Sequence, residues 1–547
     1  MKVSGLFPRA AFVLPLLLIP LSATATTRQW TGASNNVWNN SNNWSPNGVP
    51  ANGDDLEFPS GALNTSVQNN MSGLSLHSII FSDTGYNIFG NDISLSSGIS
   101  EYSNFAFFLS SQTNTIQLNI ALTANQTFHV ESRVVGMILV SDTVTVSGNV
   151  TGPFNLIKDG GGVLLLSGTT NAYSGSTTIS EGTLRLGNGT AIPPTSAVTL
   201  AFAAAPNTAA LDVNGFSASI GSLNGPSGTF VRLGTGGTLQ VGDFGYATFG
   251  GVVSGTGGTL RVSGGGGALT LSGNNTYTGP TLVEARTVVT GSQPQSPVTA
   301  SATIAGTGTV GDVTLNVNGI LNAGTDFGLP GSIHVGALTM NAGTAFVVDL
   351  NGTTPGTGYD QVVATGNVGF NNTSGALSVY VGMAFTPAAG TSFTILDKQS
   401  VGAINSTFVN LPQGGGLVAS GIEFKITYVG GDGNDVVLTV VSPPSVTISS
   451  GSTVLCSGGS LVLTANPTNG TGSYSYQWKK DTFDVGGANS PTFDAGGVGG
   501  GIGSYTVVVT DSANVMATSP GFMVVADATG PTVTAPAAST ATQSLCN

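Results

Sequence analysis

From about Thr26 to Val441 the chain repeats one pattern: four to six residues of alternating Val, Leu, Ile and Thr, then Gly, Asn, Ser or Asp. Period-2 alternation bounded by turn formers predicts short strands joined by tight turns. No segment keeps a capped 3.6-residue period over a helix length. The chain must therefore build its core from strands alone. Gly makes up 81 of 547 residues and charged residues only 7%, whereas ordinary domains carry roughly 7% Gly and about 25% charge. The Gly spacing is not every third residue, which excludes collagen. At 40% hydrophobic, the chain is also too apolar to stay disordered.

Several segments recur. Leu164-Leu165-Leu166-Ser167-Gly168, followed by Asn171-Ala172-Tyr173-Ser174-Gly175, returns as Leu269-Thr270-Leu271-Ser272-Gly273 with Asn275-Thr276-Tyr277-Thr278-Gly279. A shorter echo links Val310-Gly311-Asp312-Val313-Thr314-Leu315-Asn316 to Val335-Gly336-Ala337-Leu338-Thr339-Met340-Asn341, at an offset of 25 residues. That is about the length of one solenoid coil. Stacked coils pair each strand with its counterpart one coil away, and Gly and Asn supply the corners. About 416 residues at roughly 25 per coil and about 4.8 Å per step give a rod on the order of 80 Å long.

The stretch Gly160 to Leu184 resembles the passenger-associated β-strand repeat of autotransporter-type proteins. In the second copy Ala285-Arg286 stands where the first has Glu181-Gly182. The opening Trp30-Thr31-Gly32, Trp38 and Asn43-Trp44-Ser45 resembles the same family, as does the exit Phe393-Thr394-Ile395-Leu396, Tyr428 and Gly433-Asn434-Asp435-Val436-Val437-Leu438. The resemblance implies an exported, often surface-displayed, right-handed parallel β-helix over residues 26–441. It implies a scaffold and no particular activity.

Met1 to Ala25 reads as a signal peptide. Lys2 and Arg9 form its positive end, Ala10 to Leu21 its short apolar run, and Ala23-Thr24-Ala25 its cleavage pattern. Its removal takes the net charge from −13 to −15. Such a chain has little with which to neutralise phosphates, and anionic membrane surfaces would repel it. No later segment is long enough to span a membrane as a helix; the best, Val134 to Val140, fits a buried strand.

After Ser442-Pro443-Pro444 the pattern changes. Val446-Thr447-Ile448, Ser460 to Ala465, Tyr474 to Lys479 and Ser504 to Asp511 read as sandwich strands, with Trp478 on a central strand and Tyr505 opening a late one. Residues 446–527, beyond a linker at 442–445, resemble the bacterial Ig-like or PKD-like modules of secreted surface proteins. Cys456 has no second cysteine inside that module. Thr453-Val454-Leu455-Cys456 is echoed by Gln543-Ser544-Leu545-Cys546, so residues 528–547 are expected to begin a further module that stops part-way. The fold expected is all-β: a right-handed parallel β-helix, then an Ig-like β-sandwich.

Candidate sites each have a plain structural alternative. Gly430-Gly431-Asp432-Gly433-Asn434-Asp435 fits the calcium-roll nonapeptide, but rolls need tandem copies and only one is present. His129, Glu131 and Arg133 are expected on one strand face, as an acid–base group or as a solvated row. Trp30, Trp38 and Trp44 suit either sugar stacking or a buried end cap. Asp54, Asp55 and Glu57 read as a turn. Gly306, Gly308 and Gly311 match a dinucleotide fingerprint in letters only, because no helix follows. His77 and His334 lack metal-ligand spacing. No catalytic, metal or cofactor-binding residue is assigned. The function expected is a secreted or surface-displayed structural and adhesive protein, possible partners being cell-surface glycans or matrix. A polysaccharide-degrading glycosidase or lyase with acids near Glu131 or Asp54 is the alternative, and a passive spacer the third reading.

Overall fold

The computed structural model describes residues 26–102, 111–135, 138–202, 207–243, 245–371 and 375–528. The expected signal peptide, and all but the first residue of the expected further module, lie outside them. The named elements of the described chain are strands, apart from a 3-10 turn at Ser41–Asn43. Parallel strands climb in register, one coil per step. Gln126 pairs with Leu156, Leu156 with Thr177, and Val198 with both Thr177 and Leu223.

Each coil contributes up to three strands. Thr143–Val146, Val150–Gly152 and Leu156–Asp159 make one coil and define faces one, two and three. Face one runs as a 9-stranded sheet that is taken up by an 8-stranded one through Asn274 and Ser292. Face three passes from Ser222–Asn224 to Tyr246–Phe249 through a Gly225–Phe249 bridge. This all-β stack of parallel strands is compatible with a β-helix. Alternation decides which side chains enter: along Thr143–Val146 the two valines are fully buried and the two threonines half-buried. Each fully buried valine or leucine contributes about 1.5–3 kcal/mol.

Coil length is not constant. The 25-residue step holds between Val313 and Leu338, but Gln126 to Leu156 takes 30 residues and Val298 to Val313 only 15. The extra residues leave mainly at one corner, between faces three and one. There lie 59–65, the hairpin of Ser132–Val135 with Ile138–Ser141, 323–331, 351–360 and 382–391, whereas among the described residues the other two corners turn in a few residues. Val134 to Val140, expected as a buried strand, belongs to one of these excursions. Ser132–Val135 and Ile138–Ser141 form a separate antiparallel hairpin, with Val134, Ile138 and Leu139 exposed. Among the described side chains of that run only Val140 is buried.

Both ends switch to antiparallel pairing. Trp44–Ser45 lies antiparallel on the outer edge of Thr27–Trp30. At the other end Ser392–Lys398, Asp435–Val440, Ile422–Gly430 and Gly416–Ala419 form a meander. An antiparallel hairpin needs no crossover, so it can finish a sheet that would otherwise expose an edge.

Beyond Pro444 the strands are mostly antiparallel. A 3-stranded sheet (Ser445–Ser450, Val462–Thr468, Thr492–Asp494) and a 6-stranded sheet share one buried cluster that includes Trp478, Tyr505 and Val507. This second unit meets the exit meander. Glu423 of the exit meander is buried and faces Thr471 and Asp511 of this second unit. Burial and the Asp511 charge push the Glu423 carboxyl up to about 7. Cys456, expected to lack a partner within its module, is disulfide-bonded; the chain's other cysteine, Cys546, lies outside the described residues.

Candidate functional site

The three opening tryptophans are buried, so none offers a ring to a sugar. Trp30 and Trp38 both pack edge-on against Trp44, with centroids 5.0 and 6.0 Å apart, and Phe58, Phe81 and Tyr86 continue the ring stack inward. Trp30 Nε1 donates to Asn64 O (2.7 Å) and Trp44 Nε1 to Trp38 O (2.9 Å). The nearby acids are not in one turn, as expected from sequence: Asp55 and Glu57 lie on the strand Asp55–Phe58, just after Asp54. Each carboxylate is used by a neighbouring segment. Asp54 pairs with Arg28, Glu57 accepts from Gln29 and Ser82, and Asp55 meets both His77 (Nδ1, 2.7 Å) and Ser78. His77 and Ser78 thus share one acid and do not form a nucleophile–base pair.

The expected row of His129, Glu131 and Arg133 is split. His129 Nδ1 lies 3.1 Å from Asp159 Oδ2 on the next coil, Nε2 lies 3.7 Å from Glu131, and the Tyr102 ring packs 5.3 Å away. Arg133 sits on the excursion hairpin and pairs instead with buried Asp142. The strand ends at Val130, so the alternation that would have aligned all three stops there. Asp159 and Tyr102 join His129 through a register about 30 residues long, which local spacing could not reveal.

Gly430 to Asp435 is the turn of the exit hairpin. Asp435 Oδ1 accepts from the Lys398 backbone N–H at 2.9 Å and Asn434 Nδ2 donates to Ser400 O at 2.8 Å. Among the described residues no three His, Cys, Asp or Glu side chains group as metal ligands. Gly306, Gly308 and Gly311 sit around corners between short strands, and the next element is the strand Val313–Leu315. His334 stands exposed on Ser332–Val335.

What the repeat encodes is a buried hydrogen-bond relay. In the first copy Tyr173 Oη meets Thr177 Oγ1 (2.8 Å), Thr177 meets Ser196 of the next coil (2.9 Å), and Ser196 donates to Gly175 O. In the second, Tyr277, Thr281, Ser296 and Gly279 O repeat the same chain. An asparagine accompanies each relay. Asn171 Oδ1 accepts from Val150 N and Asn275 Oδ1 from Val253 N, each tying its coil to the one before. Burial raises both tyrosine hydroxyls above their ordinary range, which keeps them protonated donors. These groups are buried and link coils. The sequence showed the Asn, Tyr and Thr as recurring letters, but the serine partners lie 19 and 15 residues beyond their threonines.

Several ionisable groups are deeply enclosed, among them Glu101, Asp142, Lys158 and Asp360. Lys158 is fully buried and its Nζ donates to the carbonyls of Asp159, Gly160 and Glu181. Burial draws it down to about 7, against the pull of Asp159 and Glu181. It staples a corner of the coil.

Exposed apolar side chains are spread over the chain, and several of them gather at one corner. Leu63, Tyr102, Val134, Phe202, Phe327 and Met383 all stand exposed at the corner where the long excursions leave. Such a line of apolar tips on a charge-poor rod is a contact surface in form.

Residues 156–186 and 262–285 match the passenger-associated-transport-repeat family model. The stretch Gly160 to Leu184, read from sequence as an autotransporter passenger repeat, falls inside the first match. A curated relative, the adhesin BmaC autotransporter of Brucella suis biovar 1 (strain 1330), is 35% identical over 160 residues, 27% of this chain and 4% of that protein. The chain therefore spans only a small part of that relative. The crystal structure of the Haemophilus influenzae Hap adhesin aligns with 76% of this chain and 59% of its own, at 12% identity and a TM-score of 0.24, too loose to carry an argument.

Proposed function

We propose that the chain is the contact-making rod of a surface-displayed adhesive protein and is not an enzyme. The observation that carries this is the decorated corner: long excursions gather there and present apolar side chains, while among the described residues the remaining corners stay tight. In repeat architectures, insertions that map to one side commonly form the binding side. The match to a passenger repeat and the likeness to an autotransporter adhesin support export and display at the outer membrane. The rod is read as a right-handed parallel β-helix over 26–441. The buried Trp478 and Tyr505, whose hydroxyl bonds to Gly501 O upstream (2.6 Å), support an Ig-like module over 446–527. Glycans or matrix exposed on the target surface are the partners proposed.

The test is retention of the labelled, purified chain on cell monolayers, matrix-coated wells and polysaccharide-coated wells, with reducing-end release followed in the same wells. Saturable retention without sugar release is expected. Release of new reducing ends would favour the glycosidase or lyase reading, and no retention on any surface would refute adhesion.

A further inference from the structure

Three successive coils build one cleft on the decorated corner. The excursion 323–331 brings Phe327 and Gly328. The next coil brings Asp349 and Asn351, and the one after brings Tyr380 and Met383. Together they line an open cleft of about 520 Å³, within the roughly 300–1,000 Å³ range of small-molecule sites. Asp349 and Tyr380 are register partners on parallel strands, so their side chains emerge side by side on the same surface. Asp349 is buried at the floor, whereas Tyr380 is 58% and Phe327 53% exposed.

The cleft is held in shape before any ligand arrives. Asp349 Oδ2 accepts from Gly328 N at 2.7 Å and Asn351 Nδ2 donates to Gly328 O at 2.8 Å, clamping both sides of one residue. Arg286 pairs with Asp326 and donates to Thr325 O, and Asp360 accepts from Gly331 N at 2.8 Å. An apolar ring on so firmly tied a loop loses little entropy on binding. The Tyr380 hydroxyl and Asn351 Oδ1 make no hydrogen bond among the described residues.

We propose that this cleft binds a neutral glycan, an inference that rests on the adhesive reading and gives it a site. Phe327 and Tyr380 offer ring faces to the C–H side of a sugar, while Asn351 Oδ1 and the tyrosine hydroxyl take its hydroxyl groups. The lining contains no cation for an acidic sugar or a phosphate, and the buried Asp349 would repel either. Arg286, which anchors the loop, is already paired with Asp326.

The probes are mannotriose, cellohexaose, laminarihexaose and chitotriose, titrated against the full chain with binding read by calorimetry. At least one is expected to bind at millimolar concentration or below. Phe327→Ala and Tyr380→Ala are each expected to weaken it about tenfold, the size of one lost stacking contact plus its buried area. Both side chains are exposed, so the melting profile should not move; Phe216→Ala, elsewhere on the rod, is the binding control. The proposal is overturned if none of the four sugars binds, if binding ignores both substitutions, or if an apolar peptide occupies the cleft in their place. Failure of this site is distinguishable from failure of adhesion. A chain that still adheres equally well with both residues replaced has lost the glycan site only, whereas a wild-type chain that adheres to nothing has lost both.

Discussion

The two copies of the passenger-like repeat, matched at 156–186 and 262–285, solve one problem on different coils. Both bury a Tyr–Thr–Ser relay and an asparagine that reaches back one coil. Yet the step after the first threonine, Thr177 to Val198, is 21 residues, and the step after the second, Thr281 to Val298, is 17. The first copy continues into apolar Ala191 and Ile192, which join the large core that begins at Trp30. The second has Gln293 inside, bonded to both Asn275 and Thr281, and there the apolar core divides into two clusters. The corners differ as well. Gly182, at φ +65, serves the first copy under the Lys158 staple, whereas in the second Val262 occupies the staple position and Ala285-Arg286 the corner. The relay is thus the fixed part, and coil length and corner chemistry are free to vary around it.

Removing the ring breaks the comparison most. Tyr173→Ala and Tyr277→Ala should each cost about 3–5 kcal/mol locally, the range for deleting a buried aromatic. Repeat stacks need not unfold in one step, so the measurement is hydrogen exchange of the flanking strands. Protection should fall in the coils around the substituted tyrosine and persist around the other.

Gly182→Ala should be next. A Cβ there would sit 2.4 Å from the carbonyl oxygens of Gly160 and Gly162, on left-handed backbone. About 2 kcal/mol is expected from backbone conformation and crowding, read as a lowered urea midpoint for the 156–200 coils. Arg286 holds the equivalent place in the second copy without a positive φ, so that corner was built without glycine.

Replacing only the hydroxyl sharpens the contrast. Tyr173→Phe should cost about 1 kcal/mol. Tyr277→Phe should cost less, because Gln293 Nε2 also donates to Thr281 Oγ1 at 3.1 Å and still supplies a partner. Equal losses in exchange protection would show that Gln293 does not share the load.

A pH slope should be confined to the first copy. Lys158 is drawn down to about 7 in the fold, below its range in the unfolded chain. Between pH 7 and the unfolded lysine range, near about 10.4, the unfolded chain therefore binds more protons, and stability rises with pH. Below 7 the cost of burying the charge is present in full. Lys158→Met should flatten that slope in urea melts at pH 7 and 9.5, and a slope that persists unchanged would place its source elsewhere.

Much of the fold was legible because alternation is local. The Val144 and Val146 pattern, the Leu164–Leu166 motif and the corner asparagines can be read without knowing their partners. Coil length was not, because it is set by excursions such as 323–331 and the hairpin of Ser132–Val135 with Ile138–Ser141, whose residues carry no mark separating them from the coil. The same limit hid the cleft. Phe327, Asp349 and Tyr380 come from three coils more than twenty residues apart, and only the stacked registers bring them together. The His129 row failed for a related reason: the strand ended two residues before Ser132 opened the hairpin, and Arg133 left with the excursion.

Adherence of non-adherent bacteria made to display the chain tests the central claim most directly, counted on cell and matrix surfaces under washing. Display should raise retention severalfold over the undecorated host, and replacing the exposed apolar residues of the decorated corner with serine should abolish the gain while leaving display unchanged. Retention no better than the host, or a gain that survives loss of that corner, would contradict the account.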